Sequence, residues 1–271
     1  VPNYYYPERA MATLSAVISY TNYRKQPPKT YKTFYAKKML VKEAFDDARK
    51  LGRFNLSDIQ AFEVADAYGI KVAKSVLARN IDEAKEVAGY IGYPLVLKIA
   101  SPDILHKSDV GGIVVGIEDE DQLEDAYNRI IDNVKRFLPQ ARIWGISIQE
   151  MVRGARETII GVNRDPQFGP VILFGLGGIY VEVLKDVSFR IAPISEQDAY
   201  DMITEINAYP LLRGVRGQPG ADIDAIVDTI LRVSQLVMDF PDIVEMDINP
   251  FMALNKGQGG IAADIRITIG E

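Results

Sequence analysis

The chain has 271 residues, of which 48% are hydrophobic and 25% charged, a composition typical of an ordinary globular protein. Its net charge of −6 disfavours nucleic acid as the main partner, and its apolar runs are too short to span a membrane. The absence of cysteine excludes disulfides, thiolate catalysis and cysteine-based metal sites. Without a recognisable secretory leader, we expect a cytoplasmic protein. Val1 in place of Met indicates a fragment, a processed chain or one piece of a longer polypeptide.

The first 50 residues are predicted to form a helical extension. Residues 6–23 have apolar side chains at helical spacing, with Pro7 suited to a first helical position, and residues 38–50 form a second predicted helix. The basic stretch between them, 24–38, is interpreted as a solvated linker rather than an arm that follows phosphates. This order is typical of the last helix of a preceding domain followed by a linker.

From residue 55 onward, helical and strand patterns alternate. Helices are predicted over 57–69, 80–92, 118–137, 195–207 and 222–238. Strands are predicted over 72–77, 94–100, 113–117, 144–152, 157–162, 171–174, 189–191, 243–248 and 260–265. Because helices are interleaved with antiparallel-looking strand pairs, we expect an α+β (α/β) fold of two lobes facing each other, rather than one doubly wound parallel sheet.

A polar loop between the strands at 94–100 and 113–117 concentrates chemistry-bearing residues. Lys98 precedes the loop in an apolar strand, where its ammonium needs an anionic partner such as a nucleotide phosphate; the alternative is an edge-strand lysine that reaches water. Gly111 and Gly112 allow backbone N–H groups to approach phosphate oxygens, although a Gly-Gly pair is more often a plain turn.

The same loop holds the only histidine, His106. A neutral imidazole, with its ordinary pKa of about 6.5, can accept a phosphoryl group and pass it on. A lone histidine is more often a surface residue. The neighbouring Lys107, Ser108 and Asp109 favour the phosphoryl carrier instead.

Oxygen-bearing side chains alternate with apolar ones near the C-terminus. The alternation places Glu245, Asp247 and Asn249 on one face of a strand, where their mutual repulsion calls for a cation. Mg²⁺ prefers such hard oxygen ligands. Asp264, expected in the strand at 261–265, is predicted to pair with this face across a hairpin. The alternative is a solvent-facing strand edge.

Further candidate nucleotide contacts lie in the second half of the chain. Residues 149–152 are predicted to cross between the lobes, where the backbone and Glu150 can hydrogen-bond an adenine edge. The Gly-rich loop at 175–178 lacks the helix-opening context of a dinucleotide fingerprint. Arg190, inside an apolar strand, needs a buried anion or a carboxylate partner, and a structural salt bridge explains it equally well.

Together these motifs resemble the nucleotide-binding β part of ADP-forming acetyl-CoA synthetases and, more distantly, the β subunit of succinyl-CoA synthetase. The resemblance covers roughly residues 55–271 in the family's order, and residues 1–10 resemble the end of the ligase domain that precedes this module in fused members. One departure, Lys71-Val72 in place of the usual proline, affects no catalytic position. The segments that support the resemblance are 101–112, 149–151, 175–178, 189–190, 212–214 and 247–250.

The resemblance implies an ATP-grasp fold with ATP or ADP and Mg²⁺ between two α+β lobes. We expect the extension over 1–50, then an ATP-grasp domain over 51–271, with a small lobe over about 73–150 inserted in a larger lobe of 51–72 plus 151–271. The implied reaction is reversible: acyl-CoA, ADP and phosphate give acid, CoA and ATP. In this family an acyl phosphate forms on another domain and phosphorylates a histidine there. A CoA-binding/ligase α part, as a separate subunit or in the same polypeptide, is therefore the expected partner, in a hetero-oligomer or dimer.

The resemblance also assigns residues. His106 matches the second histidine, which relays the phosphoryl group to ADP, and Glu157 matches a carboxylate that faces the incoming phosphohistidine loop. Lys98 matches the phosphate-binding lysine. Asn249 and Asp264 match the Mg²⁺ ligands, with Asp247 just behind them. The other nucleotide contacts that we expect are Ser108, Gly111, Gly112, Gln149, Glu150, Met151, Val152 and Arg190.

Three other functions stay open. A catalytically silent regulatory module would keep the architecture without the chemistry, although the intact His106 disfavours this. Another ATP-grasp carboxylate ligase would make an acyl phosphate directly, without a phosphohistidine. A nucleotide-binding interaction module would bind ADP without exchange. The sequence determines neither the acid, nor ATP against GTP, nor the direction of flux.

Overall fold

The computed structural model describes residues 2–25, 28–104, 107–178, 185–214, 217 and 219–270. The helices are α1 (Pro7–Lys25), α2 (Lys38–Lys50), α3 (Asp58–Ala67), α4 (Ile81–Ile91), α5 (Glu120–Phe137), α6 (Glu196–Glu205), α7 (Tyr209–Arg213) and α8 (Ile223–Asp239). The strands are β1 (Ser75–Ala78), β2 (Leu95–Ala100), β3 (Ile113–Ile117), β4 (Gly145–Glu150), β5 (Arg156–Asp165), β6 (Gly169–Leu176), β7 (Val187–Ile191), β8 (Ile243–Ala253), β9 (Gly260–Ala262) and β10 (Ile265–Ile269). No helix within these ranges has the length and apolar character needed to cross a bilayer.

These strands form two antiparallel sheets. One is four-stranded, in the order β1-β4-β2-β3, and the other is six-stranded, in the order β10-β8-β5-β6-β7 with β9 paired to β8. Residues 151–155 lead from β4 in the first sheet to β5 in the second. The predicted α+β fold of two lobes is thus confirmed. We call the part around the four-stranded sheet the small lobe and the part around the six-stranded sheet the large lobe; the lobe boundaries at 72/73 and 150/151 stay a prediction.

Each sheet buries one face under helices and leaves the other toward the junction of the lobes. In the small lobe, α5 packs on β2 and β3 and α4 packs on β1 and β4, and Leu95, Leu97 and Ile99 of β2 lie in the core between them. In the large lobe, α6 and α8 pack on β6, β7 and β8, and the buried Met246 and Ile248 belong to that core. Because side chains alternate along a strand, the residues between these core positions point to the junction.

Local capping rules account for several helix boundaries. The Ser57 side chain accepts a hydrogen bond from the Gln60 amide, and the Gln60 side chain accepts one from the Ser57 amide, which forms a capping box at the start of α3. Gly69 follows α3 with a φ of +73°, a conformation that other residues avoid. Asn80 caps α4 in the same way as Ser57 caps α3. The predicted starts of both helices are confirmed.

The predicted strand at 260–265 is wrong, because the structure has two strands with a break at residues 263–264. The break lies opposite Pro250 of β8, which has no N–H to donate to the Ala263 carbonyl. That carbonyl accepts hydrogen bonds from the Lys98 and Gln149 side chains instead. Asp264 therefore lies between β9 and β10 and not within a strand. The short helix α7 was also not predicted.

The segment 28–37 is mostly exposed, as predicted for a solvated linker, but it is also docked on the large lobe. The Phe34 amide donates to Gln235 Oε1 at 2.7 Å, and Gln235 Nε2 donates back to the Phe34 carbonyl at 3.0 Å. Lys29 pairs with Asp198 of α6 at 2.7 Å. These contacts fix the segment along the large lobe. Helix α1, which precedes it, keeps side chains such as Leu14 half exposed.

One close approach in the large lobe gives a stability test. A Cβ on Gly260 would lie 2.2 Å from Phe251 Cζ, and the Phe251 ring is buried. We expect Gly260→Ala to lower the free energy of unfolding by roughly 1–3 kcal/mol, because the ring and β9 have to separate. Gly89→Ala in α4 is the control, since no atom lies within 4 Å of its Cβ. Alanine there should raise the free energy by roughly 0.5–1 kcal/mol in urea unfolding. Equal values for the two variants would contradict the packing argument.

Candidate functional site

A cavity of about 1020 Å³ opens where the two lobes meet. Its volume is that of a large ligand pocket, in which a few charged groups fix the orientation of the ligand. It is bounded by α3 and β10 of the large lobe and by β1 and β4 of the small lobe. The charged side chains along it include Lys74, Lys107, Arg266, Asp58, Glu245 and Asp247.

Lys98 lies beside this cavity, on the junction face of β2. Its side chain is 10% exposed, and its ammonium donates to Asp264 Oδ1 at 3.1 Å and to the Ala263 carbonyl at 2.8 Å. Because β2 lies between β4 and β3, the alternative of an edge-strand lysine in water is wrong. The anionic partner that the buried ammonium needs is therefore a carboxylate of the opposite lobe.

Gln149 makes a parallel contact from the neighbouring strand. Its side chain is buried, and Nε2 donates to the Ala263 carbonyl at 2.9 Å. Lys98 and Gln149 thus converge on one carbonyl group. The two predicted nucleotide contacts are brought together with Asp264, a predicted Mg²⁺ ligand.

The predicted metal ligands of β8 share one face, as the alternation indicated. Burial raises the pKa of Asp247 to about 6; Asp264 and Glu245 also raise it, whereas Arg266 and a hydrogen bond from Asn249 oppose the shift. The backbone N–H of Asn249 donates to the backbone carbonyl of Asp264 at 3.1 Å, which connects β8 to the break before β10. Asp247 is partly buried rather than on a solvent-facing edge.

The chemistry of this donor set fits Mg²⁺. Carboxylates of Asp247 and Asp264 and the amide oxygen of Asn249 are hard oxygen ligands. No group of three or more His, Cys, Asp or Glu that could hold a metal by themselves occurs among the described residues. Two carboxylates and one amide instead suit a cation that takes its remaining ligands from phosphate and water.

The crossing segment has several of its polar groups in use. Glu150 Oε1 accepts from the Lys74 amide at 2.8 Å, and the Glu150 amide donates to the Lys74 carbonyl at 2.9 Å. The Met151 amide donates to the Pro94 carbonyl at 3.1 Å. Val152 follows between β4 and β5. An adenine edge would therefore meet backbone groups other than these two amides.

His106 and Leu105 lie outside the described residues, so the role of His106 stays a prediction. The residues that flank them are described. Ile104 is buried in the small-lobe core, and Ser108 is exposed, with its carbonyl accepting from the Gly111 amide at 3.0 Å.

Backbone conformation and close packing explain why glycine occupies positions 111 and 112. Gly111 has a φ of +61°. A Cβ on Gly112 would lie 2.6 Å from Ile99 Cγ2 and 2.9 Å from the Lys107 carbonyl oxygen. Loop packing alone therefore accounts for both glycines, and contact with phosphate stays a prediction.

Glu157 lies at the start of β5, next to the second Gly-rich loop. The Gly177 amide donates to the Glu157 carbonyl at 2.9 Å, and the Glu157 side chain is exposed. Gly178, with a φ of +63°, continues the loop toward residues 179–184, which are outside the description.

Arg190 is not brought to the site. Its register partner on β6 is Ile172, a core residue, so Arg190 lies on the helix-covered face of the sheet. The register across β8, β5, β6 and β7 aligns Asp247 with Phe189, the neighbour of Arg190. Asp247 and Phe189 therefore share the junction face, and Arg190 points to the opposite one. The Arg190 guanidinium pairs with Glu205 of α6 at 2.7 Å. The expectation that Arg190 binds the nucleotide is corrected, because a structural salt bridge accounts for it.

Four junction residues were missed by sequence reasoning: Asp58, Arg53, Trp144 and Arg266. Asp58 of α3 pairs with Lys107 of the histidine loop, and the Arg53 guanidinium lies 5.2 Å from the ring of Trp144. Arg266 lies 3.9 Å from Asp264. The alternation of polar and apolar residues along β10 would have placed Arg266 here, had that strand been predicted.

Comparisons with known proteins agree with the geometry. A family model described as an ATP-grasp domain matches residues 47–269. The chain is 45% identical over 272 aligned residues to acetate–CoA ligase [ADP-forming] I of Archaeoglobus fulgidus, covering 100% of this chain and 39% of that protein. It is 48% identical over 219 residues to the β subunit of acetate–CoA ligase [ADP-forming] II of Pyrococcus furiosus, covering 80% of this chain and 93% of that one.

A solved structure shares the fold. The "dinucleotide forming" acetyl-coenzyme A synthetase 1 of Ca. Korarchaeum cryptofilum, in complex with coenzyme A, Ca-AMPCP and HgCl+, matches with a TM-score of 0.81 and 45% identity. The match covers 84% of this chain and 99% of that one.

The raised pKa of Asp247 gives a pH-dependent test. The unfolded carboxyl has a pKa near 3.9, so the native state binds more protons between about pH 4 and pH 6, and stability falls as pH rises through that window. We expect Asp247→Asn, measured by urea unfolding without divalent cations, to raise the free energy of unfolding by roughly 2–3 kcal/mol at pH 7.5. The gain should shrink toward pH 4.

Asp242→Asn is the control with the opposite sign. Its hydrogen bond with Arg49 lowers the pKa of Asp242, so that variant should be less stable at pH 7.5, with a loss that fades in acid. A gain for Asp247→Asn that is independent of pH would contradict the assignment.

Proposed function

The chain belongs to the ATP-grasp domain family, among the β parts of ADP-forming acetate–CoA ligases, and from this premise we propose that it relays a phosphoryl group between His106 and a magnesium-bound adenine nucleotide. The overall reaction that we propose for the assembled enzyme is reversible: acyl-CoA, ADP and phosphate give acid, CoA and ATP.

The contact between Lys98 and Asp264 gives the strongest support. A buried ammonium and a carboxylate from opposite lobes lie 3.1 Å apart at the junction. A nucleotide phosphate would take the ammonium as its partner, and the released carboxylate would become available to a cation. The pair therefore holds the site in a charge-balanced form until Mg-nucleotide replaces it.

In the direction of ATP synthesis, an oxygen of the ADP β-phosphate attacks the phosphorus of phospho-His106 in line. The P–N bond breaks, its electron pair returns to the imidazole, and the ring leaves neutral when its other nitrogen holds a proton. Lys98 neutralises phosphate charge, which is the main protein contribution to such a transfer besides positioning.

Asn249 and Asp264, with Asp247 behind them, would hold Mg²⁺. Bound there, the ion would neutralise phosphate oxygens and orient them. The pKa of Asp247 is raised mainly by burial and further by the neighbouring Asp264 and Glu245, and a buried carboxylate beside two others supports a cation at this place.

We propose that Ser108, Gly111 and Gly112 contact the phosphates, with the amides of the two glycines exchanging their hydrogen bonds to the Ser108 and Lys107 carbonyls for phosphate oxygens. Gln149, Glu150, Met151 and Val152 would line the adenine. The exposed carboxylate of Glu157 would face the phosphohistidine loop of the partner. Arg190 is left out, because its guanidinium is bound to Glu205 on the other face of the sheet.

The partner that we propose is a CoA-binding/ligase part, in a separate subunit or in the same polypeptide. This chain spans 39% of the length of the Archaeoglobus relative but 93% of the length of the Pyrococcus β subunit. The first match covers 100% of this chain and the second 80%. That difference supports a boundary near residue 50, between the helical extension and the ATP-grasp domain of 51–271.

Self-labelling from ATP tests the relay. The chain is incubated with Mg-ATP labelled in the γ-phosphate, and we expect a label that is labile in acid and stable in alkali, because the donor site and His106 belong to the same chain. His106 is the only histidine, so a phosphohistidine can form nowhere else. ADP should discharge the label to ATP. His106→Ala should bind ATP with unchanged affinity and take no label.

The same assay separates the alternatives. ADP binding without labelling, even when the partner part and acetyl phosphate are supplied, would indicate a silent module. Acyl phosphate made from ATP and an acid, without phosphohistidine, would indicate a direct carboxylate ligase. Either result would refute the relay.

Removing the proposed Mg²⁺ ligands tests the metal site. Asn249→Ala combined with Asp264→Ala should weaken ADP binding in Mg²⁺ by at least about tenfold, with little change in EDTA, because the cation is lost rather than the nucleotide pocket. Titration calorimetry measures the affinity for ADP in Mg²⁺ and the affinity for ADP in EDTA. Asp201→Ala on α6 is the control in the same lobe. An unchanged dependence on Mg²⁺ would remove both residues as ligands.

A further inference from the structure

The loop that contains His106 is fixed to the small lobe on both sides of the pair at 105–106. Before that pair, the Asp103 carboxylate accepts from the Arg142 amide at 2.8 Å and pairs with its guanidinium at 2.7 Å. After it, the Gly111 carbonyl accepts from the Asn133 side chain of α5 at 3.3 Å, and the Gly112 carbonyl accepts from the Ile99 amide of β2 at 2.8 Å. The described ends of the loop are therefore bonded to the small lobe.

The Lys107 side chain makes a contact of a different kind. Its ammonium donates to the Asp58 carboxylate, which belongs to the large lobe. Asp58 is the first residue of α3, directly after the Ser57 capping box, so its backbone is held by the start of a helix. The Lys107 side chain is 12% exposed and that of Asp58 38%.

This contact differs from the others across the junction. Lys98 and Gln149 connect strands of the small lobe to residues 263–264. Arg53 and Trp144 meet at the side of the cavity. Lys107, in contrast, lies in the loop itself and is the direct neighbour of His106, with Cα atoms about 3.8 Å apart by covalent geometry.

We propose that Asp58 is a positioning residue for the phosphoryl relay. By holding Lys107, it sets where the neighbouring histidine stands relative to the large lobe, which supplies the proposed Mg²⁺ ligands. The loop is then aligned only when the two lobes are in this mutual arrangement. The inference rests on the proposed function, since it concerns the placement of the phosphoryl carrier.

A contribution to stability alone would be small. An ion pair with one partner more than a third exposed contributes between about 0 and 1 kcal/mol. Loss of the Asp58 charge should therefore leave the chain folded. In-line phosphoryl transfer, by contrast, depends strongly on placement, so that the same change should act on the rate.

The test is single-turnover labelling of His106 in the full chain over a range of Mg-ATP concentrations. Asp58→Asn should lower the maximum rate by about tenfold or more, because a small misplacement is costly in such a transfer, while the ATP concentration at half-maximum stays unchanged. Lys107→Met removes the other partner of this ion pair and should lower the maximum rate to the same extent. Asp58→Glu keeps the carboxylate and should recover most of the rate.

Asp47→Asn is the matched control, since it removes a carboxylate that pairs with Lys50 within α2 of the large lobe. It should label at the wild-type rate. Asp58→Asn at the wild-type maximum rate, or Asp58→Glu as slow as Asp58→Asn, would overturn the positioning role and leave the relay intact. A wild-type chain that takes no label would refute the relay, and the positioning role with it.

Discussion

A buried ammonium at the junction of two sheets constrains the rest of this structure. Lys98 is nearly inaccessible to water, and a buried charge is tolerated only with an anionic partner and further hydrogen bonds. The chain meets this need from the opposite lobe, with the Asp264 carboxylate and the Ala263 carbonyl. The Ala263 carbonyl is available for this contact because the residue opposite it on β8, Pro250, has no N–H to donate, although the Ala263 amide still donates to the Pro250 carbonyl. The break between β9 and β10 thus lets one backbone carbonyl bind the side chains of Lys98 and Gln149.

The part of the junction around Asp247 holds more negative than positive charge. Glu245, Asp247 and Asp264 interact there, and the nearby cations are Lys98 and Arg266. Burial is the main cause of the raised pKa of Asp247; the neighbouring carboxylates of Asp264 and Glu245 add to it, and Arg266 opposes it. Such a surplus is unfavourable for the free protein and favourable for a divalent cation. Proteins commonly accept this kind of local strain where they bind a ligand.

Local patterns were sufficient for much of the fold and for part of the site. Capping residues such as Ser57 and the alternation that put Asp247 and Asn249 on one face act within a few residues, so that the sequence shows them directly. The junction contacts of the Ala263 carbonyl and the docking of residues 28–37 depend on partners more than 100 residues away, such as Lys98 and Gln235. Arg190 shows the same limit, because its residue type suits a phosphate, but strand register decides which face of the sheet it occupies.

The histidine loop is where these constraints combine. The described ends of the loop are bonded to the small lobe, whereas the side chain of Lys107 contacts α3 of the large lobe. A residue in such a loop is placed by both lobes at once, so its position is a property of their mutual arrangement. A phosphoryl carrier has to react in turn with the phosphoryl donor and with the acceptor. If both lobes position it, a nucleotide bound between the lobes would determine when the carrier is aligned. Fixing the carrier to one lobe alone would give it the same placement with and without nucleotide.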